Sequence, residues 1–264
     1  MPDELEDLRH KVALSCRMLA MMGMVKASLG HVSARIPGTD EMFVRCRALK
    51  DVGLPYVTDD DIRRGPLTTA GGGDMGEGYR AVGEVAIHGE SMRLRPDINC
   101  VIHAHPPGAL MIGLSDVELK PILGAYDSGA STKLLLREGY AIFPHSYLIS
   151  RPELAHRMMG VMGGRNTLIM RGHGVTITGE SVEDATARAI CFEALCRIAW
   201  QFALAGRTPA QVTTETLEEF GAGWARDGFP GSAEDRERNW TYWEAMMEKA
   251  QSLPYLVGLD HVMI

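Results

Sequence analysis

The chain has 264 residues, 45% of them hydrophobic and 23% charged, which suffices for a full-sized core and excludes general disorder. Lys and Arg total 27 against 34 for Asp and Glu, and the resulting formal charge of -7 argues against a bulk electrostatic grip on nucleic acid. No apolar run approaches the roughly 18–20 residues of a membrane span, and the acidic start is unlike a secretory leader. The five cysteines are scattered without a Cys-x-x-Cys pair and read as buried thiols, so the expectation is a cytoplasmic protein with neither nucleic acid nor membrane as partner.

Leu5, Leu8, Val12, Cys16 and Leu19 recur at helical spacing, which predicts a helix over residues 4–26. Residues 31–36 alternate with period two, as a half-buried strand does, and a turn at Pro37-Gly38 leads to a second strand over 42–46. Residues 50–80 are the least legible stretch. They hold a charged run over 59–64 and the triple glycine Gly71-Gly72-Gly73, which lacks the Lys-Ser/Thr of a phosphate cradle and reads as a mobile loop.

A helix over 83–93 feeds a buried strand over 99–103, which Pro106 and Pro107 stop before a short helix reaching Met111. Strands follow at 140–143, 167–170 and 175–178, with a helix over 152–162 and a long one that starts at a Ser181 cap and runs to about 205. Residues 207–232 are loop-like, and 234–249 set Trp240, Trp243 and Met247 at helical spacing, either covering the domain or reaching a neighbouring subunit. The economical reading is an α/β catalytic unit over 1–206 with a C-terminal extension over 207–264.

His103-Ala104-His105 is the strongest chemical signal. Residues i and i+2 of an extended chain point the same way, so both imidazoles can face one point, and His173 between two glycines is the third candidate ligand for a divalent metal. His-x-His alone is a weak motif, and ordinary polar histidines at strand ends are the competing reading. Glu84 and His88 share one helix face, either as a surface pair or as a carboxylate and imidazole that handle a substrate proton. His31, Ser33 and Arg35 alternate on one strand face, which is either plain solvent-facing polarity or a grip on a carboxylate or phenolic oxygen through the Arg35 fork.

Taken together, Gly30 to Arg35, Glu84 to His88, His103-Ala104-His105-Pro106 and Arg171-Gly172-His173-Gly174 occur in the order found in the class II aldolase/adducin family, which residues 5–205 resemble. The resemblance implies a three-layer α/β/α fold around a central, mainly antiparallel sheet, and a homotetramer with sites at subunit interfaces. It makes His103, His105 and His173 the ligands of one divalent metal and Glu84 the catalytic acid/base. Zinc suits three neutral imidazoles, although manganese and iron accept them too. The departures point to a branch. His31 stands where sugar-phosphate aldolases of the family usually have Asn, Val82-Gly83 replace a Ser-Ser pair before Glu84, and the phosphate segment has no clean equivalent over 42–50. The remaining motifs look like the family's decarboxylase branch, so the expected substrate is an ortho-hydroxylated aromatic or pyridine dicarboxylate. In that reading His31 or His88 orients the ring oxygens, and Arg35, Ser33 and Tyr126 contact substrate. The alternatives are an aldolase cleaving a sugar phosphate or hydroxy-aldehyde adduct, an epimerase using Tyr126 as proton donor, and a non-enzymatic adducin-type protein, which the retained histidines disfavour.

Overall fold

Helix α1 (Pro2–Met21) follows from its apolar stripe, of which Val12, Cys16 and Leu19 are fully buried. The computed structural model describes residues 2–122, 138–216, 218–219 and 233–252. The helix stops at Met21 rather than at residue 26, because Gly23 adopts φ +68° and closes it. Met24 N–H donates to Leu19 O at 2.9 Å and Gly23 N–H to Ala20 O at 3.0 Å, the paired bonds of a Schellman turn.

The alternating segment after it forms β1 (His31–Arg35), paired antiparallel with β2 (Glu41–Arg47). The stretch that was illegible in the sequence holds β3 (Ile62–Pro66) and the two-residue β4 (Arg80–Ala81), both paired to β2. Its triple glycine is a hydrogen-bonded turn in the structure, with Gly72 N–H donating to Ala81 O and Ala81 N–H to Gly73 O. Helix α2 (Val85–Leu94), β5 (Cys100–Ala104) and α3 (Pro107–Gly113) come next. They are followed by β6 (Ala141–Phe143), α4 (Pro152–Met162), β7 (Thr167–Met170), β8 (Gly174–Gly179) and α5 (Val182–Leu204). The Ser181 side chain accepts from Asp184 N–H at 3.1 Å, so the predicted cap is in place.

The strands form one sheet in the order β3-β2-β1-β5-β8-β7-β6, with β4 beside β2, and every pairing is antiparallel except β6–β7. One face carries Val32, Ala34, Cys100, Ile102 and Ala104 into a core shared with α1, α3 and α5. The other carries Met42, Val44, Val101 and Leu168 into a core shared with α2 and α4. The result is three layers, α/β/α. Helix α6 (Ala233–Ser252) lies against α1 and α5, with Trp240, Trp243 and Met247 buried in the first core. All five cysteines are buried, and none is in a disulfide. No helix among the described residues is long and apolar enough to cross a membrane.

The contact between α2 and the loop after β3 leaves no room at Gly89, where an added Cβ would lie 1.8 Å from the Leu67 carbonyl oxygen, whereas Gly160 on α4 has nothing within 4 Å. Gly89→Ala is expected to lower unfolding free energy by about 1–3 kcal/mol or more. Gly160→Ala should raise it by about 0.5–1 kcal/mol. Urea denaturation of the two variants beside the parent checks both signs.

Candidate metal centre

The pairing of β5 with its neighbours builds the centre. His31 of β1 stands opposite His103 of β5, which in turn stands opposite Thr176 of β8. His105 lies two residues beyond His103 where the chain turns toward α3, and its N–H donates to Met24 O at 3.2 Å. His173 occupies the turn between β7 and β8, its N–H donating to Met170 O at 2.9 Å. The glycine after it is required by close approach: a Cβ on Gly174 would meet Ala104 O at 2.3 Å and His105 Cδ2 at 2.7 Å. Glu84 stands just before the first turn of α2.

Glu84, His103, His105 and His173 present ligand atoms that all lie within 4.8 Å of one another. Glu84 Oε2 is 3.4 Å from both His103 Nε2 and His173 Nε2, and His103 Nε2 is 3.0 Å from His105 Nε2. Ligand atoms held at about 2.0–2.1 Å by a tetrahedral ion lie about 3.4 Å apart, and the corresponding octahedral edge is about 3.0 Å. The donor set, three imidazole nitrogens and one carboxylate oxygen in a buried site, therefore fits a single divalent cation. The second nitrogens, His103 Nδ1 and His173 Nδ1, are buried without a hydrogen-bond partner, so it is the Nε2 atoms that converge.

The electrostatics agree with that role. Burial, reinforced by His103 and His173, pushes His105 down to about 4, which leaves the neutral ring a metal needs at neutral pH. Burial works against ionisation of Glu84, yet hydrogen bonds from His103 and His173 outweigh it and hold the carboxyl well below its usual range. His173 moves the other way: burial lowers it, but the hydrogen bond and charge of Glu84 raise it. Glu84 Oε1 is already committed, accepting the Ile149 N–H at 2.8 Å, which leaves Oε2 facing the three rings.

The remaining expected residues divide. His31 and His88 stand next to the cluster, with His31 Nδ1 2.6 Å from His88 Nε2 and the His31 ring stacked on His103 at 5.0 Å. Ser33 is buried and reaches His88 Nδ1 at 2.6 Å. Arg35 is not brought to the cluster. Its guanidinium donates to Ile98 O at 3.2 Å and to Met92 O, at the far end of α2. Tyr126 lies outside the described residues.

Three supports were not foreseen. The Ile149 amide is a backbone group with no side-chain signature. Glu193 of α5 accepts from the N–H groups of Gly108 and Ala109 at 2.8 and 3.0 Å, anchoring α3 directly after His105-Pro106. Glu90 of α2 lies 2.6 Å from His156 on α4 and accepts from Arg93. Both acids sit on apolar helix faces at 3% exposure, a misfit in the hydrophobic pattern that was the available clue.

Residues 10–200 match the model of the class II aldolase and adducin N-terminal domain. The chain is similar to 3,4-dihydroxyphthalate decarboxylase from Arthrobacter keyseri, with 38% identity over 200 residues covering 75% of this chain and 79% of the relative. The protein of that name from Rhodococcus jostii is 35% identical over 224 residues, covering 83% and 91%. Among solved structures, an aldolase II superfamily protein from Pseudomonas syringae has the same fold, with a TM-score of 0.73 at 19% identity over 93% of each chain. With this order of motifs, this sheet and this cluster of ligands, the chain belongs to the class II aldolase/adducin family.

Proposed function

We propose that the protein is a metal-dependent lyase that decarboxylates an ortho-hydroxylated aromatic or pyridine dicarboxylate. The observation that carries the reading is the convergence of three Nε2 atoms and Glu84 Oε2 within 4.8 Å in a buried site. The names of the two relatives support a hydroxylated aromatic dicarboxylate as the substrate class. His103, His105 and His173 hold the divalent ion, with zinc first in order because three neutral imidazoles suit it, and manganese or iron next.

Once bound, the ion supplies Lewis acidity that favours negative charge on the ring oxygens as the carboxylate leaves. The chain's own residues manage the proton. Glu84 is held by the Ile149 amide through Oε1; with His103 and His173 engaged by an ion, the hydrogen bonds that keep its carboxyl low would be lost, and with substrate oxygens in place of Oε2 that atom would be free to carry a proton from solvent to the carboxyl-bearing carbon. A C–H bond forms there, the C–C bond to the carboxylate breaks, its electron pair remains with the ring, and carbon dioxide departs. Arg35, occupied by the Met92 and Ile98 carbonyls, has no part in this scheme. Val82 and Gly83 offer no side-chain hydroxyl beside Glu84, which disfavours a phosphorylated sugar.

His103→Ala is expected to abolish both metal retention and turnover, read by metal analysis after gel filtration and by product assay; undiminished metal and activity would remove the cluster from the mechanism. Glu84→Gln should keep the metal and lower kcat by about 100-fold or more, the usual contribution of a positioned acid or base. Carbon dioxide release from a panel of ortho-hydroxylated benzene and pyridine dicarboxylates, with metal-stripped protein as control, tests the reaction itself. Metal-dependent release from one member is the expected result, and silence across the panel with verified metal loading overturns it in favour of aldehyde cleavage.

A further inference from the structure

Of the three imidazoles in the cluster, His105 is the one held by neither a strand nor a hairpin turn. His103 lies within β5, with a paired strand on each side. His173 sits in the tight turn between β7 and β8, whose ends are paired at Met170 and Gly174. His105 stands on the irregular link between the end of β5 at Ala104 and the start of α3 at Pro107. Its ring completes the cluster only while the chain on both sides of it is fixed.

After His105 the chain enters α3 through Pro106, which has no side-chain oxygen with which to cap the first turn. The N–H groups of Gly108 and Ala109 are buried there, and Glu193 of α5 accepts both, at 2.8 Å through Oε1 and 3.0 Å through Oε2. The two helices meet closely at this point: a Cβ on Gly108 would lie 2.9 Å from Glu193 Oε2 and from Arg197 N and Cγ. Before its ring, His105 is held through its own N–H, which donates to Met24 O at 3.2 Å just past the turn that closes α1. Arg197 Nη2 donates to Gly23 O in that same turn at 3.5 Å, and Arg197 Nε donates to Glu193 Oε1 at 2.7 Å. Both tethers of His105 therefore lead to one ion pair, Glu193 and Arg197, one turn apart on α5.

We propose that Glu193, backed by Arg197, is the positioning residue for His105, so that a helix contributing no ligand sets how tightly the centre holds its divalent ion. Neither side chain is a ligand or touches substrate. Three donors converge on the Glu193 carboxyl, which is 3% exposed: the two amides of α3 and the guanidinium. A carboxylate has lone pairs for all three, whereas a carboxamide turns an NH2 group toward at least one of them. Without that anchor the link from His105 to Ala109 loses its fixed position, and His105 is the ligand displaced. His103, His173 and Glu84 keep their own supports in the sheet, the β7–β8 turn and the Ile149 amide. The assignment rests on the metal-centre reading above and is independent of which acid is the substrate.

The test is a double-mutant cycle over Glu193→Gln and His105→Ala in the full chain, with zinc affinity read by competition against a chromophoric chelator. Alone, Glu193→Gln is expected to weaken zinc binding about 10–100-fold, the usual loss for groups that orient metal ligands. In the His105→Ala background the same substitution should change affinity by less than about threefold, because the ligand it positions is gone. The visible spectrum of cobalt-loaded Glu193→Gln should resemble that of cobalt-loaded His105→Ala rather than that of the parent. A general structural role costs the same factor in both backgrounds, and that outcome overturns the proposal, as does unchanged affinity in Glu193→Gln. Where Glu193→Gln does not fold, Arg197→Lys goes through the same cycle: it keeps the charge beside Glu193 and removes the fork that reaches Gly23. A loss that persists without His105, or no loss at all, overturns the proposal there too. Zinc held as tightly by His105→Ala as by the parent overturns the cluster reading and this assignment with it, an outcome distinct from the additive one.

Discussion

The register of β5 between β1 and β8 is the constraint on which the rest of the centre depends. Facing residues alternate along a strand, so a slip of one position would turn His103 into the core beneath α1 and α5 and bring Ile102 to the ligand side. In the observed register, His103 keeps His31 as its cross-strand neighbour, and His105 remains on the same side two residues later. The approach of Gly174 to the Ala104 carbonyl then brings the β7–β8 turn close enough for His173 to complete the set. Of the candidate ligands only His103 lies within a strand; His105 and His173 stand on the short segments that leave β5 and β7, so the register of the sheet sets where those segments begin.

Burying carboxyl groups is costly unless they are fully engaged, and among the described residues the chain buries Glu84, Glu90 and Glu193. Glu193 is consumed by two amides of α3 and by Arg197 at 2.7 Å, and Glu90 by His156 and Arg93. Glu84 differs in having one oxygen tied to a backbone amide and the other turned toward imidazoles. The first two acids hold helices in position. The third is the one whose charge faces the place where a cation fits.

The sequence showed most of this architecture because burial and periodicity are strongly coupled here. Strand β5 is buried throughout and helix α1 buries one stripe, so both were legible from spacing, as was the shared side of His103 and His105, whereas His173 entered through its flanking glycines and the family resemblance. What escaped notice was whatever lacks an apolar signal. Strand β3 buries Ile62 but carries Arg63, paired with Glu77 over the Tyr79 ring, and the exposed Arg64, paired with Glu41, at the sheet edge, and its charges concealed it. Alternation correctly put His31 and Ser33 on one face but carried no information on reach, and Arg35, expected at the substrate, turned instead to the Met92 and Ile98 carbonyls. The Ile149 amide and Glu193 belong to contacts 65 and 85 residues apart in the chain, which no local pattern encodes.

The position of Arg35 gives α2 a property of its own. The helix is fastened at its start, where Glu84 takes the Ile149 amide, and near its end, where Arg35 holds the Met92 carbonyl. Between two fixed points a helix has a set number of residues, since each residue advances it about 1.5 Å and rotates it about 100°. Inserting or deleting one residue within α2 would swing Glu84 away from the three rings while leaving every side chain of the centre chemically intact. Over evolutionary time the length of this segment is therefore held as firmly as its Gly89, and a gap falling between residues 85 and 94 in a related chain would mark one that has given up this geometry.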